Sequence, residues 1–216
     1  MIVVLVGPPA SGKGTQARIM EEKFDLKALS TGEMLRAAVE QQTEIGQQVE
    51  ERMASGDLVP DDLIVAMVAE RIKASDCANG AILDGFPRTL AQAEMFDEVL
   101  SKRNLELSLV ILFEADDEAM VERISGRFSC ASCGEGYHDI NKPLTREGIC
   151  DVCGEKRFRR RADDNPETIR HRLGDYHSLT EPLLPFFREK DVLKSVDAMA
   201  EMDDLKFAIE SLMKAT

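Results

Sequence analysis

Three groups of residues in this sequence have types and spacings that could do chemistry. The first is Gly7-Pro8-Pro9-Ala10-Ser11-Gly12-Lys13-Gly14-Thr15, which satisfies G-x4-G-K. Glycines let consecutive backbone N–H groups turn inward around an anion, and a following helix adds the positive end of its dipole. Lys13 would then bring a point charge to the β- and γ-phosphates of a nucleotide. The context this pattern needs is present: the apolar run Ile2-Val3-Val4-Leu5-Val6 precedes it and helix-forming Gln16-Ala17-Arg18 follows. Ala10, Ser11, Gly12, Lys13, Gly14 and Thr15 are therefore candidates to cradle a polyphosphate. Gly14 stands where such loops usually carry Ser or Thr, so coordination of Mg²⁺ falls to Thr15 or to water.

The second group is Cys130-x2-Cys133 and Cys150-x2-Cys153, with sixteen residues between the pairs, a spacing within the range of a zinc ribbon. Each pair suits a tight turn, and two facing turns form a tetrahedral thiolate cage. Four protein ligands leave no open position, so Zn²⁺, or iron in its place, would be structural rather than catalytic. In a reducing compartment this grouping points to metal rather than disulfides, with Cys77 left as an ordinary thiol. His138, His171 and His177 match no metal spacing and read as surface or packing residues.

A third cluster is Ile82-Leu83-Asp84-Gly85-Phe86-Pro87-Arg88-Thr89, an apolar strand ending in a carboxylate and followed by an arginine. Asp84 at a strand end beside the phosphate loop is placed to organise Mg²⁺ through its water shell. Arg88 can hold a second phosphate in bidentate fashion.

The elements that must position these groups follow from hydrophobic patterning. Apolar runs recur at 2–6, 27–29, 81–83, 108–113 and 192–196, separated by helical periodicity at 16–23, 63–73 and 91–101. That alternation predicts an α/β fold: a five-stranded parallel sheet covered by helices on both faces, with the ligand beyond the carboxyl ends of the strands. Two segments break the alternation. Residues 30–59 read as helical and polar, and 126–163 as a small insertion of loops and strands rich in Gly, Cys, Lys and Arg. The expected organisation is thus a core of 1–29, 60–125 and 164–216 with two insertions, closed by a packing helix over 202–214. With 216 residues, 44% of them apolar, the chain can bury a full core. Its net charge of −13 repels polyanions, which argues against a general binder of nucleic acid or anionic membrane. No apolar run approaches the length of a membrane span. The basic run Lys156-Arg157-Phe158-Arg159-Arg160-Arg161 reads as a solvated face that ends in one functional residue, Arg161.

The chain resembles the adenylate kinase family over nearly its whole length. The resemblance is carried by residues 7–15, Ser30-Thr31-Gly32-Glu33-Met34-Leu35-Arg36, Gly56-Asp57-Leu58-Val59-Pro60, residues 84–89 with Gln92, and Arg161-Ala162-Asp163-Asp164 followed by Arg172. It implies a P-loop three-layer fold in which 30–59 is the nucleoside-monophosphate-binding insertion and 126–163 a zinc-bearing lid. It further implies that Thr31, Arg36, Asp57, Leu58, Val59, Gly85, Phe86, Pro87, Arg88 and Gln92 bind AMP. Arg123 and Arg127 would meet ATP and the transferring group, Arg161 and Arg172 would clamp both substrates, and Gly136 and Tyr137 would line the ATP site from the lid. Lys13, Asp84, Arg88, Arg123, Arg161 and Arg172 then form the catalytic set. The chain departs from the family pattern at Ala10, usually glycine, and at Asp197-Ala198-Met199-Ala200, where an Asp-Gly pair followed by Lys is common. Ala200 would meet the adenine by its backbone.

The implied reaction is reversible phosphoryl transfer from MgATP to AMP, giving two ADP. Its transition state carries charge on the transferred oxygens, so clustered guanidiniums and positioning suffice. An AMP phosphate is largely ionised at neutral pH, so no general base is required. Water competes as acceptor, so both insertions are expected to close over the substrates. A phosphate-loop GTPase would need N-K-x-D, and Asn141-Lys142-Pro143-Leu144 fails at its last position. A zinc-ribbon nucleic-acid binder sits badly with the acidic charge, while a kinase for another nucleoside monophosphate stays open. A cytoplasmic monomer is expected, with ATP, AMP and ADP as partners and neither nucleic acid nor membrane.

Overall fold

The computed structural model describes residues 1–161 and 163–216; Ala162, within the arginine motif quoted above, lies outside them. The chain runs β1 (Ile2–Val6), α1 (Lys13–Phe24), β2 (Lys27–Ser30), α2 (Thr31–Glu40), α3 (Glu44–Ser55), α4 (Asp61–Arg71), β3 (Ala81–Asp84), α5 (Leu90–Ser101) and β4 (Leu107–Glu114). It continues through α6 (Asp117–Ser125), β5 (Arg127–Cys130), β6 (Gly136–His138), β7 (Phe158–Arg159), α7 (Pro166–Asp175), α8 (Leu184–Glu189), β8 (Leu193–Asp197) and α9 (Met202–Ala215).

Five strands form one parallel sheet in the order β2-β3-β1-β4-β8. The central strand β1 is buried at every position, which explains its unbroken apolar sequence. Its side chains alternate between two cores. Ile2, Val4 and Val6 pack with Val65, Phe96 and Phe187 on one face, while Val3 and Leu5 pack with Met20, Ile209 and Met213 on the other. Helices α4, α5 and α8 therefore cover one side, and α1 and α9 the opposite side. Each fully buried aliphatic side chain in this double layer contributes about 1.5–3 kcal/mol. Because all five strands point the same way, the loops after β1, β2, β3 and β4 open at one edge of the sheet. Among the described residues, no helix is long and apolar enough to cross a membrane.

The segment 30–59, read as one polar helical stretch, is two helices that turn back on each other. Gln42 takes a left-handed φ of 52°, and Thr43 restarts the chain by accepting the Gly46 N–H at 3.1 Å. Gly46 lets α3 cross α2 closely: a Cβ there would stand 2.1 Å from the Ala38 carbonyl oxygen. The segment 126–163 holds a three-stranded antiparallel sheet in the order β6-β5-β7. Its small core is Phe128, Tyr137, Leu144 and Phe158 around Cys130 and Cys150.

Candidate active site and cysteine centre

Helix α1 starts without a side-chain cap, on Gly12 at φ 92°. By contrast Ser30, Thr43, Thr89, Asp116 and Asn165 each cap a helix with a side-chain oxygen. The uncapped first turn of α1 leaves N–H groups for an anion. The Lys13 ammonium lies inside the loop, donating to the carbonyls of Gly7 at 2.8 Å and Pro8 at 2.6 Å and to Ser11 Oγ at 3.1 Å. Part of the Lys13 stem is exposed, but burial of the ammonium lowers its pKa to about 8. Asp84 opposes that shift, and Arg88, Arg172 and Arg127 add to it. A Cβ on Gly7 would stand 2.7 Å from the Phe113 carbonyl oxygen, so the loop can pass β4 only as glycine. Ala10 occupies a left-handed conformation at φ 67°. Asp84, at the end of β3, faces Gly14: a Cβ there would stand 3.1 Å from its Oδ2.

After β3 the chain folds back on itself to fix Arg88. Gly85 at φ 79° offers its carbonyl to Arg88 Nε at 2.8 Å and to Thr31 Oγ1 at 3.0 Å. Gln92 accepts the Arg88 backbone N–H at 2.7 Å and donates to Asp61 Oδ1 at 2.7 Å. Thr180 Oγ1 holds the Arg88 carbonyl from a separate segment at 2.9 Å. The Phe86–Pro87 bond is cis. The Phe86 ring is fully buried and edge-on to Phe96 at 5.1 Å. Phe86 is a core residue that could meet a ligand only through its backbone.

The remaining cations converge from α2, α6, α7 and the antiparallel unit. Arg127 pairs in bidentate fashion with Asp164, and Arg172 Nη1 donates to Asp163 Oδ2 at 2.8 Å. Arg161 approaches Glu33 on α2 at 3.5 Å, and Arg123 donates to the Ala198 carbonyl at 3.1 Å. Burial, with repulsion from Arg161, brings Arg36 down to about 10; burial, with repulsion from Arg172, does the same for Arg88. Arg161 and Arg172 are lowered by burial as well. A protein of net charge −13 that buries this many like charges together has built a local site for a polyanion.

These groups share one cavity of about 650 Å³, whose wall runs from Lys13 past Asp84 and Arg88 to Arg36 and reaches Tyr137 and Ala200. The rest of the expected phosphate loop, Ala10 to Thr15, lines it too, as do Arg123, Arg127, Gly136, Arg161 and Arg172. A smaller cavity of about 70 Å³ adjoins it, sharing Arg36, Gly85, Arg88 and Arg172. Its floor is Thr31, Asp57, Leu58, Val59 and Gln92, so the two expected nucleotide subsites lie side by side. The roles of Asp163, Asp164, Glu33 and Thr180 as partners of the arginines were missed from sequence. Asp163-Asp164 stood in a quoted motif, but nothing in the sequence points to Thr180.

The four cysteine sulfurs lie within 4.8 Å of one another, with Cys130–Cys153 and Cys133–Cys150 at 3.6 Å. Sulfurs 2.3 Å from a tetrahedral Zn²⁺ stand about 3.8 Å apart, so the cage has the right size for that ion. Two matching turns build it: Gly134 N–H donates to Cys130 O at 3.1 Å and Gly154 N–H to Cys150 O at 2.9 Å. Both glycines are left-handed, at φ 72° and 74°. Burial pushes the Cys150 thiol up, yet the Tyr137 hydroxyl and the N–H groups of Cys153 and Val152 outweigh it and lower it, while burial raises its neighbour Cys133. Hydrogen bonds to Cys150 favour its charged form, which suits a cation. Tyr137 thus lines the large cavity while its hydroxyl, 3.3 Å from Cys150 Sγ, supports the cage.

The pattern that describes the adenylate kinase family matches residues 5–192. The chain belongs to the adenylate kinase family. The adenylate kinase of Allorhizobium ampelinum is 48% identical over 213 residues, covering 99% of each chain. That of Rhizobium etli strain CIAT 652 is 49% identical over 213 residues with the same coverage, and that of Magnetococcus marinus is 50% identical over 202 residues, covering 94% of each chain.

Proposed function

We propose that this chain transfers a phosphoryl group reversibly from MgATP to AMP, giving two ADP, and so serves nucleotide homeostasis and AMP salvage. The observation that carries this reading is one cationic wall shared by two adjoining cavities, so that donor and acceptor phosphates meet between Lys13, Arg88 and Arg172. The donor triphosphate lies in the loop of residues 10–15 with its adenine toward Ala200, while AMP occupies the floor formed by Thr31, Leu58, Val59 and Gln92. Arg36 and Arg88 hold the AMP phosphate. Arg123, Arg127, Arg161 and Arg172 neutralise charge on the transferring group, and Asp84 orders the water around the magnesium of MgATP. No proton needs to leave the acceptor, so the residues orient, neutralise and exclude water.

In this reading 30–59 is the AMP-binding insertion and 126–163 the lid, both attached to the core formed by 1–29, 60–125 and 164–216. Cys130, Cys133, Cys150 and Cys153 hold Zn²⁺, which supplies cross-linking and no catalytic chemistry. The protein acts as a cytoplasmic monomer, since one chain furnishes every group the transfer requires.

A panel of AMP, CMP, UMP and GMP with MgATP, followed by ADP formation, tests the assignment. AMP should be the preferred acceptor by a wide margin. Preferred turnover of CMP, UMP or GMP would move the chain to another nucleoside-monophosphate specificity. Replacing Arg88 by Ala should cut turnover by about 10²–10³ with the fold intact.

A further inference from the structure

The two cysteine turns repeat one sequence, C-x2-C-G-E, as Cys130 to Glu135 and Cys150 to Glu155. In each, the glutamate carbonyl accepts the N–H of the first cysteine, at 2.9 Å in one turn and 2.8 Å in the other. The two carboxylates behave differently. Glu155 turns onto its own loop, with Oε1 accepting from the N–H groups of Lys156 at 2.7 Å and Arg157 at 3.1 Å. Glu135 turns outward, where Oε2 meets Arg18 Nη1 of the core at 3.3 Å and Oε1 meets Lys142 of its own segment at 2.5 Å. Arg18 Nη2 also donates to the neighbouring Gly134 carbonyl at 2.5 Å.

Arg18 sits on α1, five positions beyond Lys13 on the same rigid helix. The contact therefore joins the element that carries the phosphate loop to the turn that carries Cys130 and Cys133. The lid also touches the opposite side of the site, through Arg161–Glu33 at 3.5 Å and the looser Arg159–Glu40 at 3.9 Å, both on α2. The latter pair is mostly exposed and spans a long gap. The guanidinium of Arg18 has two acceptors, and one of them is a backbone carbonyl fixed by the metal turn.

We infer that Arg18 is a positioning residue that holds the lid against the donor side of the site by gripping Gly134 O and Glu135. The inference rests on the reading of the site as that of an ATP:AMP phosphotransferase. Closure over ATP gains this grip while the AMP floor does not touch it, so its loss acts on the two substrates unequally. A charged hydrogen bond combined with a half-exposed ion pair corresponds to a factor of about 3–10 in affinity. The metal turn fixes Gly134 O, so an ordered cage is a condition for the grip.

The test uses the zinc-loaded, full-length protein and its variants Arg18→Ala, Arg18→Lys, Glu135→Ala and the double variant. In Arg18→Ala, KM for ATP and the calorimetric Kd for ATP should both rise about 3–10-fold, while KM for AMP should change less than about twofold. Melting temperature and zinc content should match wild type, because Arg18 is not part of either core. Arg18→Lys should recover part of the loss, and the double variant should be little worse than Arg18→Ala, because both residues serve one contact. Unchanged ATP affinity in Arg18→Ala, an equal rise for both substrates, or additive losses in the double variant would overturn the latch while leaving the phosphotransferase intact. A wild type that binds ATP but fails to phosphorylate any nucleoside monophosphate would refute the function itself and the latch with it.

Discussion

At the scale of single residues, the site is a compromise between burial and charge. Lys13 is the clearest case, since burial of its ammonium lowers its pKa to about 8 while its proposed task requires the charged form. As pH rises through that value in the free enzyme, the ammonium loses its proton and its attraction for the triphosphate. The profile of kcat/KM for ATP should therefore fall above about pH 8, because that parameter reports groups in the free enzyme. The fall in kcat should lie at higher pH, since a bound phosphate stabilises the ammonium. Coincident limbs for both parameters would show that another group controls the profile. Replacing Lys13 by Ala should lower kcat by about 10²–10³ at every pH and remove the limb near 8. Lys13, Asp84 and Arg88 were legible because motif spacing alone placed them. The acidic partners that hold the arginines were not, because Glu33 and Arg161 meet across 128 positions of sequence. At Phe86 the motif gives the backbone position but not which way the ring turns, and here the ring packs into the core.

At the scale of elements, apolar runs predicted all five strands of the main sheet: β1, β3 over 81–83 and the middle of β4 are buried on both faces and carry no polar position there, while the edge strands β2 and β8 are partly exposed and show only short apolar runs. The break between α2 and α3 was hidden, since Gln41-Gln42-Thr43 is as polar as the helices on either side. Gly46 marks that crossing. Alanine in place of glycine normally favours a helix by about 1 kcal/mol, but here its methyl group would stand 2.1 Å from a backbone carbonyl that cannot step aside. Gly46→Ala should thus lose about 1–3 kcal/mol of stability and raise KM for AMP. A stabilised variant in chemical denaturation would show that the crossing is looser than this geometry. The turn after α7 was equally illegible, and His177 fastens it. Its Nδ1 meets Glu181 at 2.8 Å and its Nε2 meets Asp117, at the start of α6, at 2.7 Å. Hydrogen bonding to Glu181 and then to Asp117 raises its pKa above 6.5. A raised pKa stabilises the fold fully below the ordinary value and ceases to do so as pH rises through the folded value. Nearly half of the side chain is exposed, so screening limits the effect to below about 1 kcal/mol. Wild type should exceed His177→Gln in thermal stability in mild acid, and the gap should shrink above neutrality; a gap that widens there would contradict the assignment.

At the scale of the whole molecule, the main sheet with its two cores and the far smaller antiparallel unit are joined by α6 and α7. The main sheet buries aliphatic side chains on both faces, whereas the antiparallel unit has a few aromatic rings around two cysteines. A unit of roughly 40 residues with so small a core does not hold itself together without a metal or disulfides. The sulfur atoms at 3.6 Å are too far apart for disulfides, so on the proposed reading a bound metal carries that stability. The position of the cage follows from the cysteine spacing, but its dependence on Tyr137 does not, since the hydroxyl reaches Cys150 only after β5 and β6 have paired. Removing the ion with a chelator should therefore melt 126–163 first and leave the large core standing. Calorimetry should resolve an early, small transition from a later one close to that of the main transition in the metal-loaded protein. Cys130→Ser should reproduce the early transition. Catalysis should suffer more than the core does, because Arg127 and Arg161 lie within the softened segment while Lys13 and Arg88 do not. The loss should appear chiefly as weaker ATP use and should be reversed by adding Zn²⁺. A chelated protein that melts in one unchanged transition would show that the aromatic cluster suffices alone and that the cysteines have some other purpose.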